Sequence, residues 1–600
     1  MLFIKYRIPI IVLSIFTGIF FSILTPFSET DPDIRNYIPK SLESKLITDT
    51  IEKEFGSTDM IILLINDSSV VSPCKLERIK RTDNELDKLP WLTGRLSPFT
   101  IRSVVSSEGM MLVKPLIEEI PQTAEDIELL KREIAENDFA RDVVFSDDFT
   151  SAAITATVEK DIAESQALEM VDSVVSVFYS NDEVLKGGLP YIRRSILLDV
   201  RHDALMLVPA ALALMLLLLR FTFGGWRSVF IPFSVVLISC AVTMGLITML
   251  GWKISIITLL APIILIAVSN NYGIYLVVRY NAIRSSISGS YPLSAIKDVM
   301  RSLTIPVLFS GLTTIAGLAG LLTHSVIPAR QLGILAMIGV GTSLLLSLTY
   351  IPALLASQKR GPNSKTGNFQ KSVYLTVFFQ RLSHTIVTHN GKVILLFAAF
   401  TLIFAAGALF LRTETNQENY FPSAHPVKKA SELVNNKFGG SQTISVMVSG
   451  DIFDPALMKG IDRLCRKLEA TEGVGKVFSI SEVVLEMSRA VFAPNELAYG
   501  VIPGSREGIA QLFELYYMSG GSDDFKKLIN VENTRAHILI RLSKPDNEVI
   551  INVKNIVDED TKDMNAKVLT GGYAIIMADF AKLIIRGQYA SLLLALGTIF

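Results

Sequence analysis

The chain has 600 residues, 50% of them hydrophobic and 19% charged, with a mean hydropathy of +0.42; an ordinary soluble enzyme carries about 25% charged residues. Yet 57 Lys and Arg with 58 Asp and Glu are too many for spanning helices alone, so apolar and water-soluble parts must alternate. A net charge of −1 excludes nucleic-acid binding as the main reading, and three cysteines (Cys74, Cys240, Cys465) exclude a disulfide framework and read as buried small hydrophobes.

In chain order, the first apolar run, residues 8–24, follows Lys5 and Arg7 as a secretory signal would. Thr25-Pro26-Phe27 offers no small-x-small cleavage site, so the segment reads as an uncleaved anchor. Residues 27–201 are polar and more acidic than basic, with strands expected at 59–65 and 150–158 and helices at 75–89 and 165–179. Five apolar runs follow at 204–219, 229–250, 254–278, 303–322 and 327–355, then a basic tether at 357–391 containing Gly361-Pro362-Asn363, then a seventh run at 393–411. A second polar insertion, 412–587, has strands expected at 443–448 and 534–542 and helices at 455–469 and 549–563. An eighth run starts near Tyr589 and reaches only about 12 residues by Phe600, short of the ~20 a span needs, so the sequence reads as a piece of a longer chain.

These runs give the bounds 1–26, 27–201, 202–356, 357–391, 392–411, 412–587 and 588–600. The fold class expected is a polytopic α-helical membrane protein with two α+β (βαβ, ferredoxin-like) extracytoplasmic domains. Lys5 and Arg7, Arg220 and Arg227, Arg279, Arg284, Lys297 and Arg301, and Lys359, Arg360, Lys365 and Lys371 all fall on one side of the spans. By the positive-inside rule that side, with the N-terminus, is cytoplasmic, which places the protein in the cytoplasmic (inner) membrane with both insertions outside.

The two halves also resemble each other. Asn36-Tyr37-Ile38-Pro39 follows the first run and Asn419-Tyr420-Phe421-Pro422 the seventh, and Tyr420 minus Tyr37 is 383. Glu54-Phe55-Gly56 matches Lys437-Phe438-Gly439 at the same offset, and Gly187-Gly188 matches Gly571-Gly572 at 384. A tandem repeat with a truncated second copy follows, the halves sharing one orientation, and a complete second copy would extend the chain to about 740 residues.

The architecture and these motifs resemble the resistance-nodulation-division (RND) superfamily, most closely its MMPL-like, hydrophobe-exporting branch. The resemblance rests on the paired N-Y-x-P boxes (Asn36, Tyr37, Pro39 and Asn419, Tyr420, Pro422), the glycine pair before each re-entry, and the fourth run. There, Ala267 to Tyr280 is similar to the family's G-x-D-Y-x-x-x-L-x-x-R-Y signature. The resemblance implies outer domains that form a substrate path and a bundle that converts proton-motive force into motion, with no cofactor. It implies membrane lipids and a hydrophobic or amphiphilic substrate as partners, together with a second copy of the chain or an accessory periplasmic protein.

Read without the family, Ser269, Asn270, Asn271, Tyr272 and Tyr275 are the most polar cluster in any apolar run, and Pro262 removes a backbone donor eight residues earlier. Polar groups in hydrocarbon need partners, so the cluster is expected to face the bundle interior, with Asn271 and Tyr275 on one face and Ser310, Thr313 and Thr314 as partners. Helix packing alone is an equally good reading. In the resembling family the position of Asn271 is usually Asp, and an amide cannot titrate. No apolar run carries Asp or Glu at depth; the nearest are Asp199 and Asp203. Coupling would therefore reside in a tenth helix near position 654, come from another ion or partner, or be lost.

Gly311, Gly317, Gly320, Gly333, Gly339 and Gly341 read as close-packing positions, and Trp226 and Trp252 as interfacial anchors. No H-E-x-x-H, Cys/His spacing, phosphate-binding loop or G-x-S-x-G elbow is present, so metal, ATP and acyl-hydrolase chemistry are disfavoured. A lipid exporter is thus expected, with a SecDF-like protein-export motor or a non-transporting lipid-sensing scaffold as alternatives.

Overall fold

A computed structural model describes residues 5–599 apart from 32, 58, 108–109, 160–161, 181–183, 224, 287–291, 358–372, 408–409, 411–415, 520–524, 563 and 565. The chain forms two compact units: Met1–Pro39, Leu197–Thr413 and Leu583–Phe600 make the first, Lys40–Ile196 and Glu414–Lys582 the second.

The first unit is helical, and among the described residues seven helices are long and apolar enough to cross a membrane. They are Arg7–Leu24, Leu189–Phe223, Trp226–Met249, Ala261–Ser286, Pro292–Ala319, Ile327–Ser357 and Asn390–Gly407, here the first to seventh membrane helices. The third, fourth and sixth form the centre, where Val235, Leu276, Val277, Tyr280 and Ile351 share one core. Small residues set the spacing. A Cβ on Gly245 would stand 2.3 Å from the Phe21 carbonyl oxygen, so the third helix touches the backbone of the first. Gly339 abuts Leu265 and Thr243, and Gly311 abuts Leu344, both at 2.6 Å from a built Cβ; Gly341 has nothing closer than 3.8 Å.

The second unit contains two lobes. In the first, β1 (Met60–Asn66), β2 (Leu92–Leu96), β5 (Ser151–Val158) and β6 (Val184–Gly187) form an antiparallel sheet of order β2-β5-β1-β6. Between β2 and β5, β3 (Arg102–Ser107) and β4 (Met110–Pro115) form a separate hairpin. In the second lobe, β7 (Gln442–Ser449), β8 (Val474–Phe478), β9 (Arg535–Leu542) and β10 (Lys567–Gly571) form a sheet of order β10-β7-β9-β8. Counted within each sheet, both orders are 4-1-3-2, the split βαβ arrangement of ferredoxin-like folds. Their strands start at 60, 92, 151 and 184 and at 442, 474, 535 and 567, displaced by 382 to 384 residues.

Each sheet buries both faces, and the covering helices come from different halves of the chain. On β1, Ile61, Leu63 and Ile65 point toward the helices Pro73–Asp87 and Glu164–Phe178 of the same lobe. Ile62 and Leu64 point the other way and pack with Ala430, Val434 and Phe438 at the helix Pro426–Lys437 of the second half. Reciprocally, Met447 of β7 packs with Ile51 and Phe55 of the helix Glu43–Phe55. A Cβ on Gly187 would lie 3.3 Å from Ala430 Cβ, and one on Gly571 would lie 3.2 Å from Ile47 Cγ2. The lobes therefore exchange their first helices. The ends of those helices carry opposite charges and find complements across the lobes: Glu54 with Arg535 at 2.7 Å and Lys437 with Asp148 at 2.7 Å.

The glycine pairs serve close approach. Gly188 and Gly572 have φ of +93° and +101°, and a Cβ on Gly188 would stand 2.0 Å from the Met60 carbonyl oxygen. Immediately beyond them begin the helices Leu189–Phe223 and Tyr573–Ile599.

Several expectations change. The second membrane helix and the last helix start before residues 202 and 588, because turns that carry charges, such as that with Arg193 and Arg194, continue smoothly into apolar ones. Within the expected tether, 358–372 lies outside the described residues, but Val373–Thr388 is a helix. Pro262 removes no ladder bond, since it is the second residue of its helix, where an N–H has no intrahelical acceptor. Cys74 is exposed in the first turn of its helix, Cys240 is half-buried and only Cys465 is buried, all as free thiols. The β3–β4 hairpin was not anticipated; it lies on the second lobe's helices Ile480–Val491 and Arg506–Met518, with Met111 in that lobe's core.

Candidate functional site

The two N-Y-x-P boxes occupy different surroundings. Tyr37 is buried, its hydroxyl donates to the Asp31 carbonyl at 2.5 Å, and it accepts from the Ile256 N–H at 3.4 Å. Burial, reinforced by Asp31 and Asp33, pushes its phenol above the ordinary range against the opposing Ile256 bond. The Asn36 amide donates to both Asp31 carboxylate oxygens, and the Asp31 N–H to the Ile254 carbonyl at 2.9 Å. The box with Pro39 therefore ties the end of the first helix to the segment between the third and fourth. In the second box the Asn419 side chain accepts from Lys428 at 2.6 Å, Tyr420 is exposed, and Phe421 stacks on His425 after Pro422. Beside it Glu418 is buried, and desolvation raises its carboxyl. This box anchors the exchanged helix Pro426–Lys437 instead.

The fourth-helix cluster splits between two faces. Ser269 and Tyr272 are buried and Asn270 is half-buried, whereas Asn271 and Tyr275 are exposed together with Ser310 and Thr313 of the fifth helix; Thr314 is half-buried. The expected inward Asn271–Tyr275 face is therefore corrected. Leu265, Tyr272, Leu276 and Tyr280 take the packed face, which turns residues 267, 271 and 275 outward at helical spacing. The Thr313 and Thr314 hydroxyls donate back to the Ser310 carbonyl, at 3.0 and 2.8 Å, and do not meet Asn271. Inward, Ser343 donates to the Ser269 carbonyl at 3.2 Å, while the Ser269 and Asn270 side-chain oxygens lack hydrogen bonds. Such a constellation can exchange hydrogen bonds but cannot hold a transferable proton on Asn271. Among the described residues no group of three or more His, Cys, Asp or Glu could hold a metal.

Sequence reasoning missed two clusters in the α+β unit. Arg193, 5% exposed, pairs with Asp59 at 2.9 Å and with Glu164, while Asp172 collects Lys186, Arg194 and the Tyr191 hydroxyl. Burial pushes Asp172 up, but Lys186 and Arg194 hold it below the usual carboxylate range. The adjacent Arg193-Arg194 pair five residues after Gly188 was the available signal. The second cluster gathers His537, Lys527 and Thr157, which no spacing connects.

The long apolar helices and their buried small residues define a multi-pass membrane protein. Residues 100–388, just under half of the chain, match the model of the MMPL family, and over that stretch the chain is similar to RND/MMPL proteins. It is 22% identical over 248 residues to the heme uptake protein MmpL11 of Mycobacterium tuberculosis (strain H37Rv), covering 40% of this chain and 26% of that protein. It is 30% identical over 225 residues to the probable transport protein MmpL1 of Mycobacterium tuberculosis (strain CDC 1551), covering 36% and 22%. A putative membrane protein of Methanocaldococcus jannaschii is 22% identical over 325 residues, covering 52% and 80%. The chain thus spans about a quarter of the length of the mycobacterial relatives it matches.

Proposed function

We propose that the chain belongs to a secondary transporter that moves lipid or other hydrophobic molecules across or out of the cytoplasmic membrane, driven by proton-motive force. The observation that carries this reading is the MMPL match over residues 100–388, a stretch that includes the fourth-helix cluster. Two lobes of one strand order, displaced by about 383 residues, support a tandem repeat, and duplicated bundles suit alternating access. MmpL11 is named for heme uptake, so the proposed substrate class extends to amphiphiles and direction is left to the assay. An outward stripe of Asn271, Tyr275, Ser310 and Thr313 is costly in hydrocarbon and needs a polar partner within the bilayer.

Proteoliposomes containing the full-length natural protein, with fluorescent lipid in one leaflet and an imposed proton gradient, test this. Gradient-dependent lipid movement that falls at least tenfold in an Asn271→Leu variant is expected. Movement independent of the gradient would refute the driving force, and absence of movement would refute transport of that lipid class.

A non-transporting lipid-sensing scaffold is the second reading, favoured by the amide at position 271. It expects Asn271→Asp and Asn271→Ala to leave native activity unchanged.

A further inference from the structure

A small cavity of about 50 Å³ lies in the α+β unit, walled by Met60 and Leu539 and by the ring of Phe55. That exceeds the ~10–15 Å³ one water molecule needs. Into it faces His537 of β9, 4% exposed and stacked on Phe55 at 4.9 Å. His537 Nδ1 lies 2.8 Å from the Lys527 carbonyl oxygen. A carbonyl only accepts, so Nδ1 carries the hydrogen and Nε2 presents a lone pair. That Nε2 is buried without a partner. Desolvation pushes the imidazole down to about 4, so the ring stays neutral near pH 7.

Of the remaining polar wall, Lys527 and Thr157 can donate, and Ser57 Oγ accepts from the Asp59 N–H at 3.2 Å. Lys527, an exposed residue, donates from Nζ to Thr157 Oγ1 at 3.2 Å, which leaves the threonine O–H free to donate onward. A side chain at Gly94 would take the ammonium's place, its Cβ standing 2.4 Å from Nζ. Arg541 shares the His537 face of β9 by strand alternation, is 5% exposed, and spends its guanidinium on the Phe438 carbonyl and the face of Phe478. Among the described residues neither Lys527 nor Arg541 has a carboxylate within ion-pair distance. Burial, then Arg541, push the Lys527 amine down, which an arriving anion would reverse.

One cation without a counter-ion, a free hydroxyl donor and one orphaned acceptor describe a specific guest. We propose that this cavity binds a singly protonated tetrahedral oxyanion, the head of a phosphate or phosphomonoester. Its anionic oxygens accept from Lys527 and Thr157, and its P–O–H donates to His537 Nε2. Sulfate has the same shape but no proton near pH 7, so it leaves Nε2 facing a lone pair. A carboxylate fails for the same reason. The proposal stands independently of the transport reading.

Calorimetric titration of the full-length protein in detergent with inorganic phosphate and with sulfate, at pH 6.5 and matched ionic strength, tests it. Phosphate should bind saturably and at least about tenfold more tightly than sulfate. Lys527→Ala and Thr157→Val should each weaken phosphate by about tenfold with the unfolding midpoint unchanged in its absence. His537→Phe, which keeps a ring against Phe55, should bring the phosphate-to-sulfate ratio to near one. A second arm adds nanodiscs with or without phosphatidate: competition by phosphatidate alone assigns the site to a lipid headgroup, and undisturbed phosphate binding assigns it to a free phosphate. Equal affinity for sulfate, undiminished binding in Lys527→Ala, or no saturable binding would overturn the proposal and leave the cavity to water.

Discussion

Exchange of the first helices between the lobes can be tested by a covalent bridge. A Cβ built on Gly187 stands 3.3 Å from Ala430 Cβ, just short of the roughly 3.5–4.5 Å of disulfide-bonded cysteines. Gly187 ends β6 without a left-handed φ, so a side chain there is tolerated once Ala430 gives by a few tenths of an ångström. In a Gly187→Cys/Ala430→Cys variant, with exposed Cys74 changed to Ser, mild oxidation should join the halves. A protease site inserted between residues 358 and 372 gives the readout: after cleavage the halves migrate together on a non-reducing gel and separate on reduction. The bridge closes a loop from 187 to 430, for which chain entropy predicts roughly 5 kcal/mol of stabilisation before strain is subtracted. The control pairs Gly187→Cys with Ile47→Cys, the matching position on the first lobe's own helix, and should not bridge. Separation of the 187/430 halves without reductant, or bridging in the control, would refute the exchange.

Other perturbations separate further causes. Gly188→Ala places a Cβ against the Met60 carbonyl at φ +93° and should cost about 2 kcal/mol or more, whereas Gly56→Ala, at φ +86° with nothing within 4 Å, should cost only the backbone term of about 1 kcal/mol; equal unfolding midpoints would contradict this. Arg193→Met removes a buried guanidinium shared by Asp59 and Glu164 and should cost about 3 kcal/mol in denaturant unfolding, part of it recovered by adding Asp59→Asn. Glu482 is pushed up to about 8 by burial, assisted by Glu469, Asp138 and Glu486 against Lys476 at 3.8 Å. The folded state then holds a proton that the unfolded state releases near 4.5, so stability of the α+β unit should fall as pH rises from about 4.5 through 8. Glu482→Gln should flatten that slope, and a slope unchanged in the variant would rule out Glu482 as its source.

The membrane helices and the strands β1, β5, β7 and β9 were legible because each depends on a local period, whereas the short strands β2, β6, β8 and β10 were not. A run of about 20 apolar residues reads as a span wherever it occurs, and the expected helix at 455–469 coincides with Pro455–Glu469. The strand expected at 59–65 is β1, and the structure shows its apolar run Ile61 to Ile65 buried on both faces. What covers the second face was not readable, because Phe438 lies some 370 residues away from that strand and nothing in β1 names its partner. Asn271 failed for a related reason. On a helix apolar all round, a few polar residues mark a stripe without saying whether the neighbouring helices pack on it or opposite it. The β3–β4 hairpin, rich in serine, lacked the alternation that flags a strand. His537 of β9 and Thr157 of β5 come together only where the two lobes pack, so no spacing could join them.

The exchanged helices also impose an order on synthesis. When β5 leaves the ribosome at Val158, the second face of the first sheet still lacks Phe438, 280 residues downstream. At roughly 5–20 residues per second that is a wait of roughly 14–56 s. Throughout it, Ile62, Leu64 and Ala153 present an uncovered apolar sheet, the kind of surface that nucleates strand-to-strand aggregation. The first lobe is thus a guest of the second during its own folding, and a chain halted before residue 426 would carry that debt permanently.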